Sequence, residues 1–356
     1  MLTALSRGVP DRLPATVHQW LDYHRNKYLG GMLALEAFRK FRLDAAITFI
    51  PNHIPKDEAN WRVTTRRSKT GEGNASVRTT VTTPGGVLSE TSEGDSTTAW
   101  IVERMVKRRE DIELLGKYMP VPRLDRDAVS AMRKDIGDDG ILRGGLFGHQ
   151  GGPWQDACCL HGTQEMILET FDHPDWVREF LEVLTEKRLL YIERELTGAE
   201  FDLIETGGGA ASSTVISPAI FREFCLPVDR KIHDALHAAG HKVVYHTCGG
   251  MMPILELIAA NGCDASETLS PPEVGGDARP AELKRRIGGK VALIGGFNQF
   301  QVLSEGTHEE IRRAVKDCFE TYGARGGYIM SPSDHFFETP IENLQVYSDA
   351  ARECVY

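Results

Sequence analysis

Short apolar runs alternate with longer amphipathic stretches along most of this chain. The runs at 15–20 (ATVHQW), 44–50 (DAAITFI), 141–147 (ILRGGLF), 201–205 (FDLIE), 242–246 (KVVYH), 264–267 (DASE), 291–295 (VALIG) and 327–330 (GYIM) have the length and composition of buried strands. Between them a helical period runs through 164–171, 174–198, 217–239, 250–261, 279–287, 307–323 and 340–353. Ser217 followed by Pro218, and Thr307, have the residue types that start helices: a hydroxyl accepts from free backbone N–H groups, and proline costs nothing at the first position. A helix between successive strands forces parallel pairing, and eight such units close into a barrel. The pattern predicts a (β/α)8 TIM barrel.

One segment breaks the rhythm. Residues 61–105 alternate Thr, Val and charged residues around glycine-rich turns, which predicts an antiparallel β-hairpin excursion between the second and third barrel strands. It is either a solvated decoration or a lid or docking surface. No internal repeat or linker divides the chain, so residues 1–356 are expected to form a single barrel domain carrying this β-rich insertion.

A barrel keeps its chemistry at the C-terminal ends of its strands. Those ends read His18 and Gln19, Asn52 and His53, His149 and Gln150, Glu205, His246 and Cys248, Glu267, Asn298 and Gln299, and Ser333, Asp334 and His335. In "KVVYHTCGG" an apolar run delivers His246 and Cys248 two positions apart, on the same side of an extended segment. Glu267, in "CDASETL", ends the next strand and can reach the same point. Nitrogen, thiolate and carboxylate with an open fourth position is a catalytic zinc pattern, whereas structural sites are closed by four Cys or His. The fourth ligand stays open among Asp334, His335, Glu205 and water. The alternative is structural, with Cys248 buried and Glu267 paired to an arginine. His18, Gln19, Asn52, His149, Glu205 and Asn298 are expected to line the substrate pocket.

Composition narrows the classes. The chain has 356 residues, 41% of them hydrophobic, enough for one large barrel. The net charge of -10 argues against a nucleic-acid surface; "KRRE" at 107–110 reads as a solvated helix face. Seven cysteines, with Cys158 and Cys159 adjacent, do not form a disulfide pattern and fit a reducing compartment. No apolar run reaches the length of a membrane span and no secretory leader is visible, so a cytoplasmic protein is expected. The "GGGAAS" run after Glu205 lacks phosphate-loop spacing, and no nucleotide is expected.

The block from "GGPWQDACCLHG" through "FDLIETGGGAASS" and "VVYHTCGG" to "GGFNQFQVLSEGTHEE" and "SPSDHF" resembles the uroporphyrinogen decarboxylase superfamily over roughly 141–353, and more weakly over the first fifty residues. The superfamily is a TIM barrel. It holds cofactor-free decarboxylases and zinc methyltransferases that act with corrinoid proteins or thiol acceptors. The decarboxylase branch carries an arginine-bearing N-terminal motif and an aspartate in an "FSD"-like strand end; here those regions read "VHQWLDYHRNKYLGG", with Arg25 its only arginine, and "ITFIPNHIP", with Pro51 in the aspartate's place. The methyltransferase branch carries His-x-Cys, matched by His246 and Cys248, and a related barrel adds a glutamate that Glu267 resembles. A further cysteine near the eighth strand is absent: "SPSDHF" puts Asp334 in that register with His335 beside it.

The resemblance therefore implies a zinc methyltransferase of O-demethylase type. It would move a methyl group from a small O-methyl donor to the cobalt of a corrinoid (cobalamin) protein, with His335 or Asp334 protonating the departing oxygen. The corrinoid must arrive on a partner, because no cobalamin-binding signature is present. Dimers are common in the superfamily, so a homodimer fits. The alternatives are a tetrapyrrole decarboxylase and a non-catalytic corrinoid- or tetrapyrrole-binding protein.

Overall fold

The computed structural model describes residues 1–53, 59–71, 74–95 and 97–356. Its strands are β1 (Ala45–Thr48), β2 (Asn52–His53), β3 (Arg62–Lys69), β4 (Ala75–Thr83), β5 (Gly86–Gly94), β6 (Ala99–Glu103), β7 (Arg123–Leu124), β8 (Gly140–Gly145), β9 (Leu203–Gly207), β10 (Val243–His246), β11 (Ala265–Thr268), β12 (Ala292–Phe297) and β13 (Tyr328–Pro332). Seven of them form one parallel sheet in the order β1-β8-β9-β10-β11-β12-β13, each step carrying a helical crossover. These are seven of the eight strands expected from the hydrophobic pattern.

The eighth, expected at 15–20, is reduced to a single parallel bridge between Ala15 and Met330. Thr16 N donates to Met330 O at 2.9 Å and Asp44 N to Ala15 O at 2.8 Å, so this short extended piece still joins the last strand to the first and closes the curl. The ladder stops there because Trp20 is buried between Phe38, Phe41 and Phe336, which draws the chain off the sheet toward the helix Asp22–Tyr28.

Alternation along each strand sets up two layers inside the barrel. The lower is apolar: Ala46, Ile141, Leu203, Val244, Ala265, Ala292, Ile294 and Ile329 pack with Ala4 and Leu5 of the N-terminal helix, which closes the bottom. Two residues further along the same strands come Thr48, Arg143, Glu205, His246 and Glu267, so polar groups stand directly above this apolar floor. Outside, the capping expectations hold: Thr307 and Glu310 form a capping box, and Ser217 Oγ accepts from Ile220 N at 3.2 Å.

The excursion is a separate antiparallel sheet, β3-β4-β5-β6, with β3 exposed at every position. Residues 72–73 and 96 of the expected 61–105 segment lie outside the described residues. No helix among the described residues is long and apolar enough to cross a membrane.

One buried acid gives a test of the packing. Asp229, on the helix Leu226–Ala238, is 3% exposed, and its Oδ2 has no hydrogen-bond partner. Burial pushes its carboxyl up from 3.8 to about 7, against a hydrogen bond with Tyr245. Between those values the folded protein keeps a proton that the unfolded chain has lost, so this group's stabilisation is full below about pH 4, falls as pH rises to about 7, and is flat above. The slope is at most about 1.4 kcal/mol per pH unit. Asp229→Asn is expected to remove it, so the melting temperature of the variant minus that of the wild type should climb from pH 4 to pH 7 and then level off; a constant difference would show that Asp229 does not titrate in this window.

Candidate active site

Parallel pairing fixes which polar side chains meet. β10 pairs with β11 so that His246 stands opposite Glu267, and β8 pairs with β9 so that Gly145 stands opposite Glu205, leaving Arg143 one pleat below. Arg143 bridges the two acids: its Nη2 donates to Glu205 Oε2 at 2.9 Å and to Glu267 Oε1 at 2.7 Å. His246 Nδ1 lies 3.2 Å from Glu267 Oε1 and 3.8 Å from Glu205 Oε1. From the closing segment, His18 reaches over the same carboxylate, its Nδ1 3.8 Å from Glu267 Oε2. His18 then stacks obliquely between His246 and His335, with ring centroids 5.1 and 5.3 Å away. Three imidazoles thus run from the buried floor to the half-exposed rim at Asp334 and His335.

The electrostatics follow from this packing. Burial, with Arg143 and the neighbouring imidazoles adding to it, drives His18 well below its ordinary value despite Glu267, so its ring is neutral with a free lone pair. Burial also opposes the charged form of His246, but its hydrogen bonds with Cys248 and Glu267 and the charge of Glu205 outweigh that and raise it. Glu267, though buried, is held well below the usual carboxylate range by the charge of Arg143 and by its hydrogen bond with His246. Arg143 is likewise fully buried and kept charged by Glu267 and Glu205.

Two sets of donors are close enough to hold a metal ion. The ligand atoms of His18, His246 and Glu267 lie within 4.8 Å of one another, as do those of His18, Asp334 and His335. Among the buried side-chain atoms of this site, Glu267 Oε2, His335 Nδ1 and Arg143 Nε have no hydrogen-bond partner. A buried carboxylate oxygen without a partner is costly unless something binds it. Two nitrogens and a carboxylate with an open position match a catalytic zinc site. The proton that His246 holds between carboxylates is the one a metal ion would displace.

The structure distributes the expected residues unevenly. His18, Glu205, His246, Glu267, Asp334 and His335 come together at the mouth. Cys248 stands beside His246, but its thiol is not among the mutually close donors. β10 ends at His246, and Thr247 N is bonded to Glu267 O at 2.7 Å, so Cys248 falls in the loop above the ring. Gly209 makes room for it there: a Cβ on Gly209 would lie 2.7 Å from Cys248 Sγ. Glu267 does pair with an arginine, as in the structural alternative, but only through Oε1.

The remaining expected pocket residues are mostly engaged elsewhere. Gln19 is exposed and lines a neighbouring cavity of about 460 Å³ with Trp20, Thr48 and Thr97. Asn52 Oδ1 accepts from Tyr191 Oη at 2.7 Å. His149 donates its backbone N–H to Asp156, and burial together with Arg188 lowers its imidazole pKa. Asn298 caps the turn that follows it, accepting from Phe300 N and Gln301 N, a structural task. Arg143 is the residue that reading strand ends missed; its signal was an arginine at i+2 from Ile141 inside a barrel strand.

Fold and site together define an enzyme built on a parallel β/α barrel, with its polar groups at the C-terminal mouth. The profile of the family described as "Uroporphyrinogen decarboxylase (URO-D)" matches residues 90–354, and the chain belongs to this family. It is 27% identical over 348 residues to a uroporphyrinogen decarboxylase of Photobacterium profundum, covering 92% of this chain and 84% of that one. It is also 27% identical over 358 residues to one of Vibrio vulnificus, covering 95% and 87%. Among solved structures, a methyltransferase from Methanosarcina mazei shares the fold with a TM-score of 0.66 at 18% identity, over 99% of this chain and 97% of that one.

Proposed function

We propose that the protein is a zinc-dependent methyltransferase that takes a methyl group from a small O-methyl, ether-type donor and passes it to the cobalt of a separate corrinoid protein. The observation that carries this reading is the convergence of ligand atoms of His18, His246 and Glu267 within 4.8 Å of one another, with one carboxylate oxygen, Glu267 Oε2, buried and without a hydrogen-bond partner. An arrangement of nitrogen and carboxylate donors is harder than a thiolate-rich one and suits activation of oxygen. The fold shared with a methyltransferase over nearly the whole chain is consistent with it.

When bound, zinc supplies Lewis acidity to the ether oxygen, a poor leaving group at neutral pH. The protein's own groups do the rest. Glu205 and Glu267, both gripped by Arg143, hold the floor of the site rigid. His335 stands at the rim with Nε2 3.8 Å from Asp334 Oδ1 and with Nδ1 buried and free of any partner. It can therefore hold a proton and deliver it from Nδ1 to the oxygen as the C–O bond breaks and the methyl group leaves for the incoming nucleophile; the bond's electron pair stays on the oxygen.

The decarboxylase reading is favoured by the names of the relatives. Against it, the buried cation at the floor, Arg143, is already taken by two glutamates at 2.9 and 2.7 Å, so an acidic substrate would meet carboxylates there. Elemental analysis and turnover separate the two. Expected is about one zinc per chain, lost in His246→Ala, together with demethylation of an alkyl or aryl methyl ether that requires reduced cobalamin. Metal-free protein that releases carbon dioxide from a tetrapyrrole acid would overturn the proposal.

A further inference from the structure

At the end of the barrel opposite the mouth lies a cavity of about 980 Å³, bounded by residues 6–7 after the N-terminal helix, by 281–289 at the end of the helix Pro280–Ile287, and by 320–326 before β13. Its charged lining is Arg7, Lys284, Arg285 and Arg325 against one carboxylate, Glu320. In a chain of net charge -10 this is a local excess of cations.

The cations are held but not neutralised. Arg7 Nη1 donates to Gly289 O at 2.9 Å and Lys290 O at 3.0 Å, and Lys284 Nζ donates to Gly326 O at 2.6 Å. These partners are carbonyls, which carry no net charge, and Glu320 is engaged by Lys316 at 3.7 Å. The side chains of Arg285 and Arg325 make no hydrogen bond or ion pair among the described residues, and both are exposed. Lys284 is half-buried, and burial together with the charge of Arg325 lowers its pKa, as expected where cations face one another without an anion.

Complementing a helix dipole explains basic residues in the last turn of Pro280–Ile287. It does not explain Arg7 and Arg325, which come from two other segments and converge on the same space. The volume is within the range of small-molecule sites, and guanidinium forks match phosphate and carboxylate groups bidentately.

We propose that this cavity binds a compact multivalent anion carrying phosphate or carboxylate groups, gripped by Arg7, Lys284, Arg285 and Arg325. The site is on the face of the barrel that carries no catalytic residue, so the proposal stands apart from the methyltransferase reading.

Isothermal titration of the full chain with inorganic pyrophosphate, and separately with citrate, tests it at low ionic strength. Saturable binding is expected for at least one probe, weakening as salt is raised. Arg285→Ala/Arg325→Ala should weaken it by about tenfold or more, while Arg178→Ala, on a different face, should leave it unchanged. Binding of pyrophosphate alone assigns a phosphate ligand, and binding of citrate alone a carboxylate ligand. Both substituted side chains are exposed, so the double variant should melt with the wild type; Arg325→Gln alone repeats the test with less charge removed. No saturable binding of either probe, or equal affinity in the double variant, overturns the proposal.

Discussion

Arg143→Met is expected to destabilise the protein by about 3–5 kcal/mol, the cost of leaving buried charge without its counter-ion. Glu267 is 1% exposed and Arg143 is the cation that contacts both it and Glu205. Methionine keeps much of the volume and removes the charge, so two carboxylates are left with only His246 between them. They must then either repel one another or take up protons, and either response costs folding free energy at neutral pH. A hydrophobic replacement on both sides behaves differently. In Arg143→Met/Glu267→Leu the buried pair is gone rather than broken, and much of the lost stability should return. Urea unfolding of the two variants checks this. A loss under about 1 kcal/mol in the single variant would mean that Arg143 is not the counter-ion of the floor.

The contrast between what the sequence discloses and what it conceals follows the range of the interactions involved. Strands such as Val243–His246 and Ala292–Phe297 are legible because a short apolar run bounded by turn residues has few other uses. His246 and Glu267 are legible because strand ends in a barrel are neighbours. His18 reads as a polar strand end, yet its closeness to Glu267 depends on how the barrel closes, and that closure rests on backbone hydrogen bonds of Pro14, Ala15 and Thr16 that no local pattern announces. Its strand is cut short by Trp20, whose burial against Phe38, Phe41 and Phe336 outweighs the β pattern around it.

Cys248 shows a different limit. The strand ends at His246, so strand alternation does not fix the height of Cys248 in the loop beyond it, where its thiol reaches the His246 side chain but not the whole donor set. The spacing therefore put Cys248 over the right face and told nothing of its height. Asn298 shows a third limit, since an amide after a strand serves equally well as a pocket wall or as a cap, and here two backbone N–H groups take it.

The two donor sets share His18, so a single ion must choose between Glu267 with His246 and Asp334 with His335. Burial decides it. Glu267 and His246 are 1% and 2% exposed, whereas the side chains of Asp334 and His335 are 38% and 33% exposed. An ion between buried donors gains full electrostatic attraction and relieves the unpartnered Glu267 Oε2; an ion at the rim competes with water for the same groups. Glu267→Gln replaces a charged ligand by a neutral amide oxygen and is expected to weaken zinc retention by at least about tenfold. Asp334→Asn should keep the metal. Its effect should instead fall on turnover, because Asp334 Oδ1 accepts from the His335 backbone N–H at 2.7 Å, which holds the turn carrying His335, and lies 3.8 Å from His335 Nε2, where its charge favours the protonated ring. Loss of a positioned general acid lowers rates by about 10²–10⁴-fold, so His335→Gln should show that loss in kcat with zinc content intact, and Asp334→Asn a part of it. Metal content and kcat measured on the same three preparations separate the roles. If Asp334→Asn loses zinc while Glu267→Gln keeps it, the ion sits at the rim, the buried trio serves only to brace the barrel floor, and the proton must come from a group other than His335.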